Sequence, residues 1–134
     1  MNQIQNQPAG QVLPYGFKIS SSAPIFVYYE VSHPLNPDIF SLKGRNALGL
    51  KFIIPFQNTF DNGSYSPPPR SGFDIVATED NTIVTIVPSV AVEGHAAGVA
   101  YDIELNAGET YSMAALSTAA SDHPAGSYIS SNKP

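Results

Sequence analysis

Phe73-Asp74-Ile75-Val76-Ala77, Thr78-Glu79-Asp80-Asn81 and Thr82-Ile83-Val84-Thr85-Ile86-Val87 follow one another without a gap, and this stretch decides the fold. Both flanks are short and rich in β-branched residues, which suit a pleated, half-buried surface better than a helix. The tetrapeptide between them is polar, and Asp and Asn stabilise turns by bonding their own backbone. The spacing predicts a β-hairpin. Further on, Tyr101–Leu105 and Thr110–Leu116 flank Asn106-Ala107-Gly108-Glu109 in the same way and predict a second hairpin. Tyr111–Ala120 carries Ala and Met, yet its Ser/Thr content favours a strand followed by a loop over a helix.

Upstream, Leu48–Phe56 is a strand candidate that ends where Pro55 denies a ladder donor. Ile25–Val31 is apolar on both faces, as a central strand is. It stands beside Phe17–Ser20 across Ser21-Ser22-Ala23-Pro24, a hairpin-like spacing. Residues 57–72 form a long loop, with Asn62-Gly63 as a turn signal and Pro67–Pro69 as a stiff extended piece. Short runs with turn signals every ten or so residues, and no helical period, predict an all-β antiparallel sandwich. The expected core residues are Tyr28, Val31, Phe52, Ile54, Phe73, Ile75, Ile86, Ile103 and Leu105.

The chain has 134 residues, enough for one domain. Residues 1–15 begin Gln/Asn-rich and without period, and are expected to form a flexible arm before a single domain at 16–134. With 10 Gly and 12 Pro the chain is punctuated for many short elements. Six basic against 11 acidic residues give a formal charge of −5, and no basic run exists to neutralise a phosphate backbone, so nucleic acid is not an expected partner. Cysteine is absent, which excludes disulfides, thiolate metal sites and thiol nucleophiles. No apolar window is long enough to span a bilayer, and residues 1–11 are not a signal peptide.

The three histidines, His33, His95 and His123, stand at no ligand spacing and read as exposed loop residues, so no metal site is expected. Asp102 and Glu104 are the best paired carboxylates; on a strand they share a face about 7 Å apart, a separation used by inverting glycosidases. Tyr101, Ile103 and Leu105 then take the opposite face, so the acids read as the wet side of a half-buried strand. No G-x-S-x-G, P-loop or dinucleotide glycine pattern appears, and neither catalytic residues nor a cofactor are assigned. Lys43, Arg45 and Lys51 cluster after Asn36-Pro37-Asp38. A salt-bridged, self-anchoring loop explains them best, but Asn36, Asp38, Lys43, Arg45 and Tyr65 are the candidate ligand contacts. Tyr15 and Tyr65 would stack on sugar faces if the chain were a carbohydrate-binding module. Asn62-Gly63-Ser64 is a formal glycosylation sequon.

One internal similarity stands out. Gly16, Ile19, Ser20-Ser21 and Pro24 return, in order and without a gap, as Gly126, Ile129, Ser130-Ser131 and Pro134. If this is a repeat, the partner of the Ile25–Val31 strand is missing from the second copy. Ser127–Pro134 is then expected to be poorly held or paired with another copy of the chain through an unpaired strand edge.

The order of segments resembles the N-terminal domain family of IgG Fc-binding proteins, in particular the versions in large surface proteins of gliding, type IX-secreting bacteria. The matching pieces are Ile19–Pro24, Tyr28-Tyr29-Glu30, Asn36-Pro37-Asp38-Ile39-Phe40, Leu42-Lys43-Gly44 and Asn46-Ala47-Leu48-Gly49. Phe73–Thr82, Val84-Thr85-Ile86, Leu105–Tyr111 and Ile129–Pro134 complete the set, and the Ala77–Thr82 turn is its most specific part. The resemblance implies a non-enzymatic, extracellular or cell-surface, β-rich binding or structural module from a larger multidomain protein. Adhesion or cell-envelope assembly is its expected setting. It also implies a protein or glycan ligand, and an export signal outside this chain.

Overall fold

Nine strands were found in the computed structural model, which describes residues 6–32 and 37–134. They are β1 (Val12–Leu13), β2 (Tyr28–Val31), β3 (Asp38–Ser41), β4 (Lys51–Ile53), β5 (Gly72–Val76), β6 (Thr82–Val87), β7 (Tyr101–Leu105), β8 (Thr110–Ala114) and β9 (Tyr128–Ser131). The helical elements among the described residues are two 3-10 turns, Gly44–Ala47 and Ala120–Asp122. The chain divides into two units, Met1–Phe17 with Leu50–Pro134, and Lys18–Gly49.

The larger unit is an antiparallel sandwich. One sheet has the order β1-β8-β5 and the other β4-β9-β6-β7. Val84 and Ile86 of β6, Leu105 of β7 and Ile129 of β9 meet Tyr111 and Met113 of β8 in the core, with Ala77 and Val92 from the connections. The alternation of β6 follows from this: Thr82, Val84 and Ile86 point inward and are buried, while Ile83, Thr85 and Val87 face outward.

The fold class is the expected one, but neither predicted hairpin forms. β5 pairs with β8, with Ile75 opposite Tyr111, whereas β6 pairs with β7 and β9. Thr78–Asn81 therefore carries the chain from one sheet to the other, and Asn106–Glu109 does the same between β7 and β8. A short polar link can turn a strand back beside itself or arch it across the core, and its residue types are the same in both cases. What decides is that Phe73 and Ile75 cover the core from one sheet while Val84 and Ile86 form it from the other. The expected pairing of Phe17–Ser20 with Ile25–Val31 is also absent: residues 17–20 form no strand, and β2 pairs with β3.

Part of the expected N-terminal arm lies on the sandwich. Val12 stands opposite Tyr111 in β8, the Gly10 amide donates to the Ser112 carbonyl at 2.8 Å, and the Asn6 side chain bonds both Asp74 and Thr110. At the other end, Ser127–Pro134 is not poorly held. β9 lies between β4 and β6, Ile129 is buried, and the fully buried Ser127 hydroxyl accepts from the Ser89 amide at 3.0 Å. Gly16–Pro24, its counterpart in the internal similarity, contains no strand. Of the expected core, Ile86 and Leu105 are fully buried, and Ile54, Phe73, Ile75 and Ile103 pack around them. Tyr28 and Phe52 are exposed and Val31 is half-buried, because β2 and β4 are edge elements rather than central strands.

Candidate functional site

The segments most specific to the sequence pattern converge at one end of the sandwich. Asp80 Oδ1 accepts from the Ala107 amide at 3.0 Å, and Asn106 Oδ1 accepts from the Asn81 amide at 3.3 Å, so each arch bonds the other. Glu109 closes its own arch by accepting from the Asn106 amide at 2.6 Å, and Thr82 closes the other by donating to the Glu79 carbonyl at 2.7 Å. Asn81 and Gly108 take positive φ values of 55° and 84°, a conformation that Asn and Gly tolerate best. The C-terminal residues then lock the first arch and the start of β6. The Ile83 amide donates to Asn132 Oδ1 at 2.8 Å, the Thr78 hydroxyl donates to the Pro134 carbonyl at 2.9 Å, and the Lys133 ammonium donates to the Asp80 carbonyl. These polar side chains are committed to backbone groups. Their arrangement is a clasp that holds the fold.

The smaller unit has the opposite character. Its two strands form a ribbon, with Tyr29 opposite Phe40 and their rings stacked at 6.2 Å. Tyr28 and Ile39 are 60% and 61% exposed on one face, and Tyr29 and Phe40 are 56% and 49% exposed on the other. No described residue of Lys18–Gly49 is buried. A two-stranded ribbon without a core is marginal in water, and so large an apolar exposure marks an interaction surface. Three candidate ligand contacts lie here. Asp38 opens β3 and, with Glu30, Val31, Pro37 and Ile39, lines a shallow hollow; Lys43 and Arg45 follow at the 3-10 turn. No ion pair joins these charges among the described residues, so the self-anchoring salt-bridged loop is not what forms; the recorded ion pair is Arg70–Glu93 at 3.1 Å. Asn36 lies outside the described residues, as does His33. Tyr65 is exposed in the loop after β4, and no recorded aromatic contact joins it to Tyr15 in a sugar platform.

The remaining histidines are not exposed loop residues. His123 is 2% exposed; its Nδ1 lies 2.7 Å from the Gln57 carbonyl, to which it donates, and its Nε2 has no hydrogen-bond partner among the described residues. His95 stacks on Tyr101 with ring centroids 3.4 Å apart. Burial pushes the Tyr101 phenol above its ordinary range, and the nearby Tyr111 hydroxyl adds to the shift. Asp102 and Glu104 are exposed, and Asp102 accepts from the Thr85 hydroxyl across the β6–β7 pair at 2.6 Å. In the sequon, the Asn62 amide donates to the buried Ser71 hydroxyl at 3.1 Å.

Against this geometry, a family model described as IgGFc binding protein matches residues 40–134, more than two thirds of the chain. The chain belongs to the IgGFc-binding family. No curated protein and no solved structure matches it. The IgGFc-binding match takes in part of β3, all of β4–β9, both arches and the whole clasp. Asn132, to which sequence reasoning assigned no role, is central to that clasp, as is Asn106, legible in the sequence only as a turn residue. Their signal was the same Asn/Asp turn chemistry recognised at residues 78–81, repeated at two further places.

Proposed function

We propose that this chain is a non-enzymatic, extracellular protein-binding module that acts at the cell surface, in adhesion or envelope assembly. The observation that carries the reading is the ribbon of an IgGFc-binding family member. It shows large apolar side chains on both faces and no buried residue of its own among those described, whereas the polar motifs of the sandwich are committed to holding the fold. Aromatic side chains at the centre of an exposed patch are the usual anchors of protein interfaces. The family description makes the Fc fragment of IgG the first probe in an array of extracellular proteins. The expected result is saturable binding to a protein that falls at least tenfold in Phe40→Asp. Binding confined to glycans and abolished by Tyr15→Ala or Tyr65→Ala would overturn the reading.

A further inference from the structure

Strand β4 presents a bare outer edge. The Ser131 amide donates to the Leu50 carbonyl at 2.9 Å and the Ile54 amide to the Ser127 carbonyl at 3.0 Å, so residues 50, 52 and 54 direct their backbone groups toward β9. By the alternation of an antiparallel ladder, Lys51 and Ile53 direct theirs outward. In the ribbon, the Leu42 amide donates to the Val27 carbonyl at 2.9 Å, so Val27, Tyr29 and Val31 bond toward β3 while Tyr28 and Glu30 face outward. The other edge of the ribbon is blocked, because the outward Ile39 amide donates to the Asp38 carboxylate at 2.8 Å. Among the described residues, neither the outer edge of β2 nor that of β4 is paired.

The two bare edges fit each other in one antiparallel register. Placing Glu30 opposite Lys51 also places Tyr28 opposite Ile53, Tyr29 opposite Phe52 and Val31 opposite Leu50. Every pair is then apolar or oppositely charged, and both sets of outward groups meet in hydrogen-bonding phase. The register also continues the core. Phe40, Tyr29, Phe52, Ile129, Ile86 and Tyr101 become directly opposed across six strands, and Ile129 and Ile86 are already buried. The neighbouring row, through Glu30, Lys51, Ser130, Thr85 and Asp102, is polar where it crosses β2, β4, β9, β6 and β7.

We propose that the occupant of the β4 edge is β2 of a second copy of this chain, exchanged reciprocally in a two-fold dimer. Such an exchange pairs both bare edges of both copies at once, as a closed, isologous interface requires. The inference rests on reading the ribbon as an interaction surface.

Charge exchange tests it in the full chain. Glu30 and Lys51 are both exposed, so Glu30→Lys and Lys51→Glu leave the sandwich folded, as circular dichroism checks. In sedimentation equilibrium the wild-type chain is expected to dimerise. Each single variant is expected to weaken about a hundredfold, about tenfold at each of two contacts where like charges meet. An equimolar mixture of the two single variants restores opposite charges at both contacts, so a heterodimer of near wild-type affinity is expected. Because the chain has no cysteine, Tyr28→Cys mixed with Ile53→Cys should also form a disulfide-linked heterodimer on oxidation, and Tyr28→Cys mixed with Phe52→Cys should not. A wild-type chain that stays monomeric overturns the proposal, as does a dimer indifferent to both charges. Rescue in the double variant without rescue on mixing also overturns it, since the pairing then lies within one chain. A monomer that still captures a protein through Phe40 refutes the exchange and leaves the protein-binding reading standing.

Discussion

Replacing Ile129 by alanine tests whether the C-terminal strand is part of the core. Ile129 is 5% exposed and stands opposite Ile86 on one side and Phe52 on the other. The substitution removes three carbons, about 2.4 kcal/mol of transfer free energy at ~0.8 kcal/mol per buried methylene. The cavity left between strands that are pinned on both sides adds to this, giving a loss of about 3–4 kcal/mol. A chain of this length is stabilised by roughly 7–20 kcal/mol, so the variant still folds but with much reduced stability. Urea unfolding followed by circular dichroism should show a midpoint lowered by roughly 1–2 M at unchanged slope, and Ile129→Val should lose about 1 kcal/mol. A loss below about 1 kcal/mol in Ile129→Ala would mean that the strand is loosely held and that the core lies elsewhere.

Asn132→Ala should lose about 1–2 kcal/mol in the same assay, because it leaves the Ile83 amide without its acceptor. Asn132→Asp, which keeps that acceptor, should recover most of the loss. Gly72→Ala should lose more than about 2 kcal/mol or fail to fold, since a Cβ there would lie 2.3 Å from the Met113 carbonyl oxygen in the β5–β8 pair. The Tyr101 phenol stays protonated in the fold to a pH at which an unfolded tyrosine, near pKa 10, has ionised. Its contribution is therefore full below about pH 10 and falls as the pH rises further, and Tyr101→Phe should flatten that alkaline decline.

Local chemistry made the strands legible in the sequence, and non-local geometry hid their neighbours. β6 and β7 appear at their expected limits because β-branched runs bounded by polar turns have few alternatives. The turn residues at 78–81 and 106–109 were also legible as turns. Whether each reverses within a sheet or arches between sheets depends on which face Ile75 and Tyr111 cover, and spacing does not encode that. Ile25–Val31 misled for a related reason: apolarity on both faces is shared by a buried central strand and by an exposed ribbon. Among the candidate ligand contacts, Asp38, Lys43 and Arg45 do share one unit, while Tyr65 belongs to the other. His123 was misread because its burial comes from the Gln57 loop packing over it, a contact between distant segments.

The position of β9 constrains how the chain can acquire its fold. In the four-stranded sheet, β4 has no described neighbour except β9, and β6 meets only β7 until β9 arrives. A nascent chain emerging from its N-terminus can form the β6–β7 pair early, but β4 must wait through some seventy residues of synthesis for its ladder. Arches in place of hairpins lengthen the sequence separation of native contacts, which slows folding. Of the four strands of this sheet β9 is made last, and it joins the two halves, so the sheet's assembly is gated by the completion of residues 128–131. A chain interrupted before them keeps an orphaned β4 and a separate hairpin, each exposing an edge to other chains.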